Sequence, residues 1–318
     1  MAETGKNTGR AAELLLEGRL VAIPTETVYG LAANALNEKA VLSVFEAKQR
    51  PFFDPLIIHI PSVEAVSKYA VMDDERLIQL AEAFWPGPLT LLLPKKELVP
   101  NIVTSGLDKV AVRVPDHALT LELLKKINVP LAAPSANPFG YVSPTEPAHV
   151  EKQLGGSVAY ILDGGKCSIG LESTIVGIED GKVCVYRLGG LAIEDIESIT
   201  GAVELRINNS SNPKAPGQLK SHYAPKKTLL LGNVNELATL HRDKKIAIIC
   251  FGEERYSKQG HTVYNLSETR NLHEAAINLF KFLRLADDSD ANLVLCELLP
   301  DEGLGRAIND RLRRAAEK

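Results

Sequence analysis

Cysteine is scarce in this chain, and the few present are badly placed for chemistry. Cys167, Cys184, Cys250 and Cys296 form no C-x-x-C pair, and their spacing matches no zinc module. They read as buried, reduced thiols of a cytoplasmic protein, with no metal held by protein side chains. Positive charge is also in short supply: 36 Lys and Arg stand against 40 Asp and Glu, a net charge of −4. No global field draws the chain to nucleic acid, so even a weak RNA contact needs a local basic patch. Apolar runs stay short of the roughly 18 residues that a membrane span needs. The polar stretch Met1 to Arg10 lacks the apolar segment of a signal peptide. Two phosphate-binding signatures are missing as well. Gly164-Gly165 is a turn and not a G-x-G-x-x-G fingerprint, and no G-x-x-x-x-G-K-[ST] stretch occurs.

What remains is a globular composition, 45% apolar and 24% charged over 318 residues, long enough for two domains. Helical and strand patterns alternate. Helices are expected over Ala11–Gly18, Glu38–Lys48, Asp74–Phe84 and Ala118–Ile127, with another capped by Ser143 or Thr145 and running through Gln153. Strands are expected over Leu20–Pro24, Leu56–Ile60, Leu89–Leu93, Val110–Val114, Leu131–Pro134 and Ala159–Leu162. Thr174–Ile178 and Val183–Arg187 should pair as a hairpin across Asp180-Gly181, which makes the sheet mixed. The run Asn208 to Pro213 reads as a linker, and loop composition continues to Pro225. Strands Thr228–Leu231, Lys245–Cys250 and Leu293–Leu298, with helices Leu272–Leu285 and Gly305–Ala316, then suggest a second, smaller α/β domain. The expected division is 1–207, a linker 208–227, and 228–318.

Polar and cationic groups gather at the strand ends of the first 190 residues. Lys48-Gln49-Arg50 closes a helix before Pro51, where cations either complement the helix dipole or clamp phosphate. Period-2 alternation sets Lys109, Ala111 and Arg113 on one face of a strand, opposite Val110, Val112 and Val114. In the hairpin it sets Val183, Val185 and Arg187 opposite Cys184 and Tyr186. Thr25-Glu26-Thr27, Ser135-Ala136-Asn137 and Gly170 to Thr174 each follow an apolar run, where open α/β sheets bind ligands. His59 lies in the apolar run Leu56–Ile60, as a core histidine or a ligand for a carboxylate or hydroxyl. Gly303 to Arg306 reads as a helix cap or an anion site, and Arg306, Arg311, Arg313 and Arg314 as a solvated face or an RNA patch. These residues suggest a pocket for an anionic ligand without naming it.

Six segments in order resemble the YrdC-like threonylcarbamoyl-AMP synthases: Pro24 to Leu31, Lys48 to Pro51, Trp85 to Thr90, Val110 to Arg113, Ala133 to Asn137, and Glu172 to Ile175. Ser221-His222-Tyr223-Ala224-Pro225 and the second α/β domain resemble the long form of that family. The resemblance implies a twisted mixed sheet with a concave, positively charged face, plus a smaller Rossmann-like C-terminal α/β domain. It implies that L-threonine, bicarbonate and ATP, with Mg²⁺, give threonylcarbamoyl-AMP and pyrophosphate. A partner transferase would then modify tRNAs reading codons that begin with A. Carried over by position, the threonine ligands are Thr27, His59, Arg113, Ala133 and Ser173. The nucleotide ligands are Arg50, Asp54, Lys109, Ser135, Asn137, Ser143, Arg187 and Tyr223, with Lys48 and Arg50 catalytic and Tyr223 on a lid. Two rivals share the fold by the same resemblance: a double-stranded RNA or ribosome-precursor binder, and a carbamoyltransferase. The net charge weighs against the first, and the absence of acylphosphatase-like and zinc-finger segments against the second.

Overall fold

A computed structural model describes residues 2–207, 215–216, 222–253, 256 and 261–317. An eleven-stranded mixed sheet forms the first region. Its strands lie in the order Glu3–Gly5, Tyr160–Leu162, Val21–Ile23, Gly30–Asn34, Leu131–Ala132, Ile57–His59, Lys109–Arg113, Leu89–Pro94, Thr174–Glu179, Lys182–Arg187 and Glu204–Leu205. The second region holds four parallel strands, Thr228–Leu231, Leu293–Cys296, Ile246–Cys250 and Thr262–Asn265. The expected mixed α/β sheet with a second α/β unit is therefore present. Most expected elements fall within a few residues of their predicted bounds, such as the helix Glu38–Lys48.

Some elements escaped the pattern. Gly30–Asn34 is a central strand, yet its sequence, Gly-Leu-Ala-Ala-Asn, lacks every β-branched residue. Glu3–Gly5 pairs in parallel with Tyr160–Leu162 where only a polar terminus was expected. The helix Pro147–Leu154 is not capped by Ser143 or Thr145: Glu146 is its N-cap, and Pro147 supplies the first turn's fixed φ. Ser143 turns instead toward Glu172.

One apolar core runs through both regions. Val112, Val185 and Leu89 of the large sheet share it with Leu229, Ala247 and Ile249 of the second sheet and with Leu279, Phe280 and Leu312 of the helices between them. Among the described residues, no helix is long and apolar enough to cross a membrane. The expected linker at 208–213 lies outside the described residues, as does Ser221.

Close backbone approach fixes the loop after the hairpin. A Cβ on Gly189 would stand 2.3 Å from the Glu172 carbonyl oxygen and 2.4 Å from the Ser173 carbonyl carbon. The obstacle is backbone, so no rotamer relieves it. Gly189→Ala should lower stability by roughly 1–3 kcal/mol, the usual cost of overpacking. Urea denaturation checks this; a wild-type midpoint would mean that the loop shifts freely.

Candidate active site

The polar turns after the apolar strands meet in one pocket. Thr27, Arg50, His59, Arg113, Ala133, Ser135, Ser173, Arg187 and Tyr223 all line it, together with Glu172, Pro216 and His222. Thr25 shapes the first turn: its hydroxyl accepts from the amides of Thr27 and Val28 and donates to the Val28 carbonyl. That turn aims Thr27 at Arg113, whose Nη1 donates to Thr27 Oγ1 at 2.8 Å. Arg113 Nε also donates to the Gly87 carbonyl, and Nη2 lies 2.6 Å from Glu26 Oε1. The guanidinium is thus anchored on three sides at one end of the pocket.

His59 sits beside it, 3% exposed. Its imidazole is pushed down to about 3, by burial first and by Arg113 second, so the ring is neutral at physiological pH. Its Nδ1 is buried without a hydrogen-bond partner, a polar atom that a ligand can satisfy. Ser173 shares a hydrogen bond of 2.7 Å with Thr90 and accepts from Arg187 at 3.0 Å.

Further cations gather in and behind the pocket wall. Gln49 adopts a left-handed backbone at φ 53°, which ends the helix and turns Arg50 inward. Arg50 pairs with Asp54 at 2.9 Å and donates to the Asp54 and Pro55 carbonyls. Lys48 does not complement the helix dipole. Its amine is buried and donates to the carbonyls of Ser135 and Asn137. Burial, then Arg50, holds that amine well below the usual lysine range. Arg187 rests on the Ser173 carbonyl and hydroxyl and on the Pro216 carbonyl. Burial lowers its guanidinium to about 10. Among the described residues, neither Lys48 nor Arg187 has a carboxylate partner.

The alternation expected for Arg187 fails for a physical reason. A register shift between Val185 and Arg187 breaks the period, so Val183 and Val185 enter the main core while Arg187 joins Arg113 at the pocket. Lys109 is not brought in: its amine donates to the Ile178 carbonyl, away from the pocket lining. Asn137 and Ser143 lie just behind the wall. Asn137 donates to the carbonyls of Pro138 and Tyr141, and Ser143 to Glu172.

Tyr223 is buried at φ 64°, an uncommon conformation for a bulky residue. Its ring stacks on Phe280, with centroids 5.6 Å apart, and under the Arg311 guanidinium at 4.9 Å. His222 lies against Tyr223 with ring centroids 4.2 Å apart. Burial, followed by Arg50, Lys48 and Arg311, keeps its imidazole well below the usual value.

Sequence reasoning placed none of Glu172, His222 and Arg311 among the ligand-binding residues. It read the last-helix arginines as a solvated face or an RNA patch, and the structure corrects this. Arg311 and Arg314 are buried, Arg306 pairs with Glu194 at 2.6 Å, and Arg313 alone of the four is exposed. The helix start at Gly303 holds no free anion site either, since its amide donates to Glu194. The signal was present in the spacing: Arg311 falls on the apolar stripe of Leu304, Ile308, Leu312 and Ala315.

The neutral histidines carry a pH consequence. Below pH 6.5 an unfolded chain protonates its histidines, whereas folded His59 waits until about 3 and His149 until about 4. Stability therefore falls as the pH drops below 6.5, because the unfolded state binds more protons. His59→Gln should remove up to ~1.4 kcal/mol per pH unit of that slope. Urea denaturation between pH 6.5 and 4.5 measures it; identical slopes would mean that His59 titrates normally when folded.

Comparison with known proteins agrees with this architecture. A family model described as "Telomere recombination", covering the Sua5, YciO and YrdC proteins, matches residues 13–189. A second, "Threonylcarbamoyl-AMP synthase, C-terminal domain", matches residues 191–317. The threonylcarbamoyl-AMP synthase of Pyrococcus abyssi is 42% identical across 96% of this chain and 93% of its own. That of Bacillus subtilis is 37% identical across 96% and 92%. The crystal structure of P. abyssi Sua5 complexed with L-threonine superposes with a TM-score of 0.93 at 39% identity, covering 99% of this chain and 97% of the other. With both family models and full-length relatives in agreement, this chain belongs to the threonylcarbamoyl-AMP synthase family.

Proposed function

We propose that the protein is an ATP-using nucleotidyltransferase that joins L-threonine, bicarbonate and ATP into L-threonylcarbamoyladenylate and pyrophosphate. The observation that carries this reading is that one pocket is lined by both sets of residues. Thr27, His59, Arg113, Ala133 and Ser173, which we assign to threonine, line it together with Arg50, Ser135, Arg187 and Tyr223, which we assign to ATP, and Lys48, Asn137 and Ser143 lie behind the wall. The first set suits an amino acid bearing a hydroxyl. Arg113 offers a fork to the carboxylate, while Thr27, His59 and Ser173 offer polar partners to the hydroxyl and amine. The second set suits a triphosphate, because Lys48 and Arg187 are buried cations resting on carbonyls.

In the first step the threonine ammonium and bicarbonate give the carbamate, releasing water and a proton. A carbamate oxygen then forms a bond to the α-phosphorus, and the bond to the bridging oxygen breaks with loss of pyrophosphate. Little of this needs a covalent intermediate on the protein. Positioning and neutralisation of charge by Lys48, Arg50 and Arg187 supply the acceleration. Mg²⁺ would arrive on the triphosphate and not on side chains. Among the described residues, no group of three His, Cys, Asp or Glu could hold a metal ion; Glu172 in the pocket wall pairs with Arg311, and Glu26 and Asp54, outside the lining, pair with Arg113 and Arg50. No step is therefore assigned to a protein-bound metal.

Three finer readings go with this one. Residues 1–207 form the catalytic region, 208–227 a linker whose Tyr223 covers the nucleotide, and 228–318 a second domain. The product passes to a transferase that modifies tRNA. The reaction runs in the cytoplasm, in keeping with four free, buried cysteines.

Pyrophosphate release from ATP, with threonine and bicarbonate added separately and together, tests the assignment. Release should require both, and indifference to threonine would overturn it. Lys48→Met should lower kcat/KM for ATP by roughly 10²-fold or more, the scale of losing one charge-stabilising donor. Threonine binding by calorimetry should stay within about threefold, because the Lys48 amine rests on the Ser135 and Asn137 carbonyls and on none of the residues assigned to threonine. An unchanged kcat/KM would remove Lys48 from the phosphate side.

A further inference from the structure

Glu172 is a carboxylate in the wall of a pocket that we assign to a triphosphate, one residue from Ser173. Left bare, it would repel the ligand that the pocket is read to hold. Both of its oxygens are satisfied. Oε1 accepts from the Ser143 hydroxyl at 2.6 Å, and Oε2 accepts from Arg311 Nε at 3.0 Å. Arg311 arrives from the last helix, Leu304–Ala316, 139 residues along the chain.

Three further contacts hold that guanidinium. It donates to the Leu188 carbonyl at 2.7 Å, pairs with Asp310 at 2.8 Å, and lies over the Tyr223 ring. Arg311 is completely buried, so water does not screen its pairing with Glu172. A surface arginine could be exchanged for solvent; this one cannot.

We propose that Arg311 is a positioning residue for the nucleotide: it neutralises and orients Glu172, so that the second region of the chain sets the affinity of the first region's pocket for ATP. Arg311 does not line the pocket. It acts through Glu172, which does line it. The inference depends on the nucleotide reading above. Threonine should be indifferent to Arg311, because its end of the pocket is built on Arg113 with its own carboxylate, Glu26.

The test is a double-mutant cycle on the full chain, read as the calorimetric affinities for ATP and for L-threonine. Arg311→Met should weaken ATP binding by at least about tenfold, since it leaves a buried charge unpaired. Threonine affinity should stay within about threefold. Combining it with Glu172→Gln should return ATP affinity to within about threefold of wild type, because the repelling charge is gone. A merely structural arginine would not be rescued in this way. ATP affinity unchanged in Arg311→Met, a double variant as weak as the single one, or a parallel loss of threonine affinity would each overturn the proposal. Should Arg311→Met fail to fold, Arg311→Gln decides: it removes the cation but keeps a hydrogen-bond donor, so it should weaken ATP binding about tenfold, and an unchanged affinity overturns the proposal. Binding is measured apart from turnover. A wild-type protein that binds ATP yet releases no pyrophosphate with threonine would therefore refute the synthase reading alone.

Discussion

An arginine taken out of water loses several kcal/mol of hydration unless a carboxylate and hydrogen-bond acceptors replace it. Arg50, Arg113 and Arg187 in the pocket wall, and Lys48 and Arg311 behind it, are each less than a tenth exposed. Three of them meet a buried carboxylate: Arg50 meets Asp54, Arg113 meets Glu26, and Arg311 meets Glu172. These pairs are internal and geometrically demanding, so they dictate where the loops after the strands must sit. The Thr25 turn, the left-handed Gln49 and the close approach at Gly189 all serve that placement. Removing one partner from such a pair usually costs about 3–5 kcal/mol. Charge matching therefore fixes where the loops around the pocket sit, above the apolar core.

Pairing leaves Lys48 and Arg187 as the two pocket cations set on carbonyl oxygens. Both are pushed downward by burial, which marks them as electrostatically unfavourable until an anion arrives. An anion bound there would relieve that strain and draw selectivity from it, as expected of a preorganised site. The neutral His59 and His222 fit the same logic, since protonating either would add charge to a site that already has an excess.

Much of this was legible in the sequence because the signals were local. Apolar runs located the strands, and short polar turns after them located Thr27, Ser135 and Ser173. Two kinds of feature were not legible. Gly30–Asn34 was given no strand, because its strand character comes from pairing with Val21–Ile23 and Leu131–Ala132 and not from its own side chains. Arg187 was placed on the wrong face because one irregular residue reverses the alternation. Partners far apart in sequence, such as Glu172 and Arg311, needed the fold to bring them together. A buried arginine on an apolar helical stripe was the clue that periodicity offered.

The most direct measurement is a crystal structure of the protein with L-threonine and a non-hydrolysable ATP analogue. The triphosphate oxygens are expected within hydrogen-bond reach, about 3 Å, of the Lys48 amine and the Arg187 guanidinium. The Arg113–Glu26 and Arg311–Glu172 pairs should remain intact. A triphosphate seated elsewhere, with Lys48 still bound only to the Ser135 and Asn137 carbonyls, would contradict it.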